Sequence, residues 1–202
     1  MTKTQHTRQD IDIIEKKTVY QGFFTLNRCQ LKFRYFNGAW SPIVVRELFE
    51  PGLAVGVLVY DPAMQQIALV EQMRMGAYQS EKGPWLLEII AGRVDPAEQT
   101  AATARREAKE EANIVIDRLT PMCDYWVSPG CSSERVHLFL GEADLSQAGG
   151  VHGLSSEHED IRTQCIPVGQ IKTLLETGRV DNAISIIALQ WFCLNVLSQK
   201  RG

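Results

Sequence analysis

Apolar and polar positions alternate with different periods along this chain, and the period divides it into elements. In residues 30–36, Leu31, Phe33 and Tyr35 alternate with Lys32 and Arg34, which predicts a strand with one apolar face. Residues 18–25 and 39–48 are similarly rich in aromatic and branched side chains and read as two more strands, with Asn37-Gly38 as the hairpin turn between the second and third. Residues 1 to about 15 read as a frayed lead-in. A sheet this small cannot bury a core of its own. Its apolar face must be covered by the rest of the chain, by a second subunit, or by both.

Pro51-Gly52 marks a boundary, so residues 1–50 read as a small β-sheet domain and residues 51–202 as the main domain. Residues 53–60 and 67–72 carry long apolar runs, the mark of strands buried on both faces, with a turn at Asp61-Pro62 between them. Residues 85–90 read as one further strand. Asp95-Pro96 then opens a helix running to about Ala112, since proline fits a first helical turn where its missing N–H costs nothing. Residues 114–116, 125–127, 135–140 and 161–168 read as strands, residues 128–130 as a loop, and residues 170–176 as a short helix stopped by Gly178. Asp181 is placed to cap a last helix whose apolar stripe is Ile184, Ile187, Ala188, Trp191 and Leu194. Residues 146–160, polar and containing Gly149, Gly150 and Gly153, read as a long loop of the kind that is usually functional or mobile. The fold class is α/β, with a mixed sheet between helices.

Composition narrows the choice of function more than of fold. With 202 residues, 45% of them hydrophobic, the chain can bury a full core, and no apolar run approaches the roughly 20 residues that span a bilayer. The polar start MTKTQHTRQD lacks a signal-peptide core, and five cysteines without CxxC spacing read as reduced thiols, which together predict a cytoplasmic protein. Cys123 and Cys131 read as packing residues. A formal net charge of -3 and the lack of a basic stripe argue against nucleic acid as a partner.

The candidate chemistry lies in residues 92–114, GRVDPAEQTAATARREAKEEANI. On a helix, Glu107, Glu110 and Glu111 fall three or four residues apart and share one side. Like charges at that spacing repel by a few tenths of a kcal/mol, and acids in the last turn also face the negative end of the helix dipole. A cation there would remove both penalties. The competing reading is a solvated charged face balanced by Arg105, Arg106 and Lys109. Oxygen ligands with no neighbouring His or Cys favour a hard ion, magnesium or manganese, over zinc.

The spacing of Gly92, Glu98, Arg106, Glu107, Glu110 and Glu111 resembles the Nudix box, the signature of enzymes that hydrolyse nucleoside diphosphates linked to another group. Two positions depart from it. Asn113 stands where the box has glycine, at a site where a left-handed backbone is commonly needed and asparagine is the second choice. Ala108 replaces a larger aliphatic residue. Pro129, fifteen residues beyond the box, with SPGCSSER, GLSSEHEDI and RVDNAISIIALQW, resembles the ADP-ribose pyrophosphatase branch of the family, so that the likeness covers nearly the whole chain.

That resemblance implies an α/β/α sandwich and a homodimer whose amino-terminal strands exchange with the partner. It implies that Glu107, Glu111 and the Ala91 carbonyl bind magnesium, with Glu110 a further acid acting directly or through water, and with manganese a possible substitute. A site of this kind uses about two or three ions. Arg106 would orient a neighbouring glutamate, and Gly92 and Glu98 would be structural. Glu159 is the first candidate for the base, with Glu157 and His158 as rivals; His152, on the same loop, also reads as a surface residue. Phe23 and Arg46 match positions that sandwich adenine, Arg74 a phosphate-side arginine, Glu134 a residue on the terminal ribose, and Gly130 a point of close backbone approach. The implied reaction is hydrolysis of ADP-ribose to AMP and ribose 5-phosphate. The alternatives are a GDP-mannose or other nucleoside-diphosphate-sugar pyrophosphatase and, from a different class, a noncatalytic ADP-ribose sensor.

Overall fold

The computed structural model describes residues 5–198, in two compact units. The first runs to Gly52 and takes in Trp126–Glu134; the second comprises Leu53–Tyr125 and the chain from Arg135 onward.

The first unit is a three-stranded antiparallel sheet in the order β1 (Ile11–Gln21), β2 (Thr25–Phe33), β3 (Val44–Glu50). Residues 5–10 carry more structure than the polar sequence suggests; residues 1–4 of the expected lead-in lie outside the described residues. Thr7 and Asp10 cap one another around a single helical turn, with the Thr7 N–H donating to the Asp10 carboxylate at 2.8 Å, and Asp10 is buried. The capped turn delivers the chain directly into β1, so the strand begins at Ile11 and not near residue 18. The Asn37-Gly38 turn forms, closed by Tyr35 N–H to Ala39 O at 2.8 Å, with Gly38 at φ +87°. The third strand starts only at Val44, because Pro42 has no N–H to give a ladder. Within the same unit, Phe49 donates its N–H to Cys131 O and accepts from Ser133 N–H, which fixes the 126–134 segment against the end of β3.

The second unit is built on a mixed eight-stranded sheet. Its main path runs β10 (Gly150–His152), β11 (Ile161–Pro167), β5 (Gln66–Met73), β4 (Leu53–Asp61), β9 (Arg135–Glu142), β8 (Arg118–Trp126), with β6 (Trp85–Glu88) on β5 and β7 (Ile90–Arg93) on β4. β4 and β9 are parallel, and the other registered pairs are antiparallel. The helix α1 (Thr100–Ala112) covers one face through Ala104, Ala108 and Ala112, all fully or almost fully buried against Val55, Val57, Val70 and Ile161. On the other face, α2 (Ile171–Glu176) and α3 (Ala183–Phe192) bury Ile171, Ala188, Leu189 and Phe192 against Leu58, Leu69, Leu87 and Leu138. Small side chains let α1 sit close to the sheet, and the result is an α/β/α sandwich. Among the described residues no helix is long and apolar enough to cross a membrane.

Several expectations are corrected. Residues 85–90 form two strands on different neighbours, because the chain changes partner at Ile89. The helix begins at Thr100, since Asp95 O accepts from Glu98 N–H at 2.9 Å and the proline opens a turn instead. Residues 114–116 bury Ile114 and Ile116 without pairing in the sheet; Asn113 and Ile114 turn their N–H groups back onto Lys109 O and Ala108 O at 3.0 Å. The long 146–160 segment contains β10 and a turn at Ser155–Glu157. Asn182, not Asp181, caps α3, its side chain accepting from Ser185 N–H at 3.1 Å. The deepest line of α3 is Ser185, Ala188, Leu189 and Phe192, and Leu194 is 72% exposed where a π-helical turn at Cys193–Leu197 rotates it outward. The five cysteines are all free, and Cys131 is exposed, not packed.

Candidate active site

The site is assembled from the last turn of α1, the end of β5, the first residues of β7 and the loop before β11, all in the second unit. Asn113 ends α1 in the left-handed region at φ 55°, and the Lys109 ammonium donates to its side-chain oxygen at 2.5 Å. Glycine's usual substitute thus supplies the stop, and the helix delivers its acids to the sheet.

Glu111 is only 3% exposed, and its two carboxylate oxygens accept from the Gln72 side chain and from Ala91 N–H, each at 3.2 Å. Burial pushes its carboxyl up to about 8; the Ala91 N–H, the Arg74 charge and Gln72 oppose the shift, and neighbouring Glu107 adds to it. Burial likewise lifts Glu107 to about 7, against the Arg106 charge and with Glu110 and Glu159 adding to the rise. Gly92 leaves room for the Glu107 carboxyl group, which any side chain at that position would force to move. The register places Ala91 opposite Gly56 and Gly92 opposite Val55 on β4.

Arg106 gathers three of the box acids. Its guanidinium lies 3.1 Å from Glu98, 2.9 Å from Glu107 and 2.7 Å from Glu110. Thr103 also donates to Glu98 at 2.8 Å, so that Glu98 is bound into the start of α1. Arg106 and then Thr103 hold Glu98 below the usual carboxylate range.

The loop carrying the candidate bases hangs from the same helix turn. Gly153 N–H donates to Glu110 O at 3.2 Å, and the Thr163 hydroxyl to Glu111 O at 3.4 Å. Glu159 folds back to accept Leu154 N–H at 2.9 Å, while its charge reaches Glu107. Gly153 permits this fold: it sits at φ +109°, and a Cβ on it would lie 2.6 Å from the Glu159 Cβ. Glu157 and His158 are exposed, His158 with φ 57°, and His152 contacts Gly149 O at 2.7 Å inside the loop. The structure therefore brings Ala91, Gly92, Glu98, Arg106, Glu107, Glu110, Glu111 and Glu159 into one connected cluster.

Two contacts were not foreseen. Gln72 closes an apolar strand and looks like a boundary residue, yet it is buried on Glu111. Arg74 is held at 2.7 Å by Glu88, a buried acid hidden in an otherwise apolar run. The remaining sequence candidates lie in the first unit. Phe23 is 77% exposed in the turn between β1 and β2, where its ring meets Phe24 edge-on. Arg46 stands opposite Cys29 on β3 and donates to Val45 O at 2.8 Å. Gly130 and Glu134 lie on the 126–134 segment, and burial raises the Glu134 carboxyl.

Among the described residues no three His, Cys, Asp or Glu side chains form a ready metal cage. The donor chemistry nevertheless fits a hard divalent ion: Glu111 is buried, Glu107 is half-buried and shares the one Arg106 guanidinium with Glu98 and Glu110, and both stand beside strand backbone that can add a carbonyl oxygen.

Residues 50–190 match the NUDIX domain family. The chain belongs to that family. Over 199 residues this Nudix chain is 45% identical to an ADP-ribose pyrophosphatase of Haemophilus influenzae, covering 96% of this chain and 92% of the relative. It is 30% identical over 187 residues to a GDP-mannose pyrophosphatase of Pectobacterium atrosepticum, covering 89% and 92%. Its fold matches a solved ADP compounds hydrolase with a TM-score of 0.74 at 22% identity, covering 98% of this chain and 100% of the other.

Proposed function

We propose that this Nudix enzyme hydrolyses the pyrophosphate of ADP-ribose to AMP and ribose 5-phosphate, using magnesium, with manganese as a substitute. The observation that carries the reading is the pair Glu107, half-buried, and Glu111, buried, raised to about 7 and about 8, with Ala91 N–H on the Glu111 carboxylate and a side-chain-free Gly92 beneath Glu107. Stability alone gives no reason to desolvate two acids together.

In this reading Glu107, Glu111 and the Ala91 carbonyl hold the metal, and Glu110 adds a carboxylate directly or through water. When bound, the divalent ions, about two or three per site, screen the diphosphate and acidify water. Arg106 keeps Glu107 and Glu110 aimed by ion pairing. Glu159 takes the proton of the attacking water, its carboxylate aligned by Leu154 N–H and within electrostatic reach of Glu107. The bond from that water oxygen to the adenosyl-side phosphorus forms as the bridging P–O bond breaks, and the leaving oxygen departs as the phosphate of ribose 5-phosphate. Glu157 and His158 are the rival bases on the exposed tip of the loop.

We assign adenine stacking to Phe23 and Arg46, phosphate pairing to Arg74, the terminal ribose to Glu134 and close backbone approach to Gly130. A guanidinium already held by Glu88 loses little freedom on meeting phosphate, and the Phe23 ring is 77% exposed. We further propose a cytoplasmic homodimer joined through the amino-terminal sheet, where Ile11, Ile13, Val19 and Tyr20 on β1 are exposed. No nucleic-acid or membrane partner is part of this reading.

The test is hydrolysis in oxygen-18 water, with magnesium and either ADP-ribose or GDP-mannose. AMP carrying the heavy oxygen is the expected product, and a chain that cleaves GDP-mannose while leaving ADP-ribose intact would reject the assignment. GDP-mannose is the second reading because the Pectobacterium atrosepticum relative of that name aligns over 89% of this chain.

A further inference from the structure

The chain crosses from one strand neighbour to another immediately before the candidate site. β4 and β5 pair with each other only where Val59–Asp61 meets Gln66–Ala68. Beyond that point they separate, β6 pairs with β5 as far as Glu88, and β7 pairs with β4 from Ile90. Ile89 lies at the crossing, outside both strands and wholly buried. A buried N–H left without an acceptor costs about 1–3 kcal/mol, and no strand partner is in register for this one.

The first turn of α3 supplies what the sheet does not. The Ser185 hydroxyl, itself fully buried, accepts Ile89 N–H at 2.9 Å. The Asn182 side-chain amide donates to Leu87 O at 3.1 Å, while its oxygen caps the helix by accepting Ser185 N–H at 3.1 Å. Backbone is thus gripped on both sides of Glu88, the residue that holds Arg74. The helix is also seated hard on the sheet: a Cβ on Gly56, the strand partner of Ala91, would meet Ile184 of α3, Ile89 and Leu138 at 2.8 Å each. The grip acts from one face of the sheet, and the acids of α1 stand on the other.

We infer that Asn182 and Ser185 are positioning residues for the metal-holding carboxylates: by fixing the crossing at Ile89 they set where Ala91 and Gly92 meet Glu111 and Glu107. The inference rests on the proposed metal-dependent reading of that cluster. Neither side chain touches metal or substrate; both act through the crossing, on metal binding by way of Ala91 and Gly92 and on the Arg74 side of the site by way of Glu88.

The decisive variants are Asn182→Asp and Ser185→Ala. Asn182→Asp keeps an oxygen to cap α3 and favours the helix dipole, but sets an acceptor against Leu87 O. Leu189→Ala is the control, since it opens a cavity under the same helix and costs stability while leaving both clamp side chains, Asn182 and Ser185, in place. Binding of Mn2+ to the metal-free full chain, followed by the resonance of the free ion, is expected to weaken about tenfold in both clamp variants, as when outer partners of metal ligands are lost. Amide exchange at Ile89 and Ala91 is expected to speed up in both, while the control shows neither effect. Parent-like Mn2+ binding and parent-like exchange in both clamp variants would overturn the inference, as would an equal loss in Leu189→Ala. If the parent chain itself binds no Mn2+, the metal-dependent reading fails, and the clamp then fails too unless exchange at Ile89 and Ala91 still rises in both variants and not in the control.

Discussion

Replacing Glu111 by glutamine separates stability from activity, because the two respond in opposite directions. The carboxyl rises from 4.5 to about 8, chiefly through burial, in the metal-free chain. Each tenfold change in proton affinity is worth about 1.4 kcal/mol, which sets an upper bound of about 5 kcal/mol; relaxation of the site lowers this to about 2–4 kcal/mol. A folded-state value above the unfolded one means that the folded chain binds the proton more tightly. The stability this contributes is complete below pH 4.5 and is lost as pH rises toward about 8. Glutamine keeps the shape, can still accept Ala91 N–H and has no charge to desolvate. In urea denaturation with EDTA at pH 8.5, Glu111→Gln is therefore expected to be more stable than the parent by about 2–4 kcal/mol, a gap that closes near pH 4.5. Saturating magnesium should stabilise the parent far more than the variant, whose hydrolysis falls at least about a hundredfold. A variant that is less stable than the parent in EDTA at pH 8.5, or a difference that ignores pH, would refute the claim that Glu111 is a desolvated acid awaiting a cation.

Gly92→Ala drives a methyl group into the Glu107 carboxyl, so a folded protein with magnesium activation weakened by about tenfold or more is expected in a metal titration. Glu159→Gln should lower kcat more than KM in steady-state assays; full turnover would move the role of base to Glu157 or His158. Asn113→Gly relieves a left-handed backbone at φ 55° but loses the Lys109 contact at 2.5 Å, giving a gain of at most about 1 kcal/mol in urea denaturation with no change in kcat.

The acid cluster is legible in the sequence because helical spacing alone puts Glu107, Glu110 and Glu111 on one side. The buried strands β4 and β5 are legible because short apolar runs without alternation, bounded by turn residues, suit a strand covered on both faces. The crossing at Ile89 is not legible. In WLLEIIAG the side-chain pattern continues unbroken, and what changes is the neighbour that receives the backbone hydrogen bonds. The cap of α3 is missed for a related reason: Asp181 and Asn182 are both good caps, and only geometry shows that Asn182 has a second task at Leu87. The helix start is misplaced because Pro96 suits a tight turn as well as a first helical turn, and Glu98 settles the matter through Thr103 and Arg106. Local signals thus account for element types, whereas partner changes and buried polar contacts depend on residues distant in sequence.

The most direct test of the metal-dependent site is anomalous diffraction from crystals soaked in Mn2+ with a nonhydrolysable ADP-ribose analogue. The expected result is a manganese peak bounded by Glu107, Glu111 and the Ala91 carbonyl, with the diphosphate of the analogue against it. Manganese bound only elsewhere, with those two carboxylates free of any ion, would contradict it.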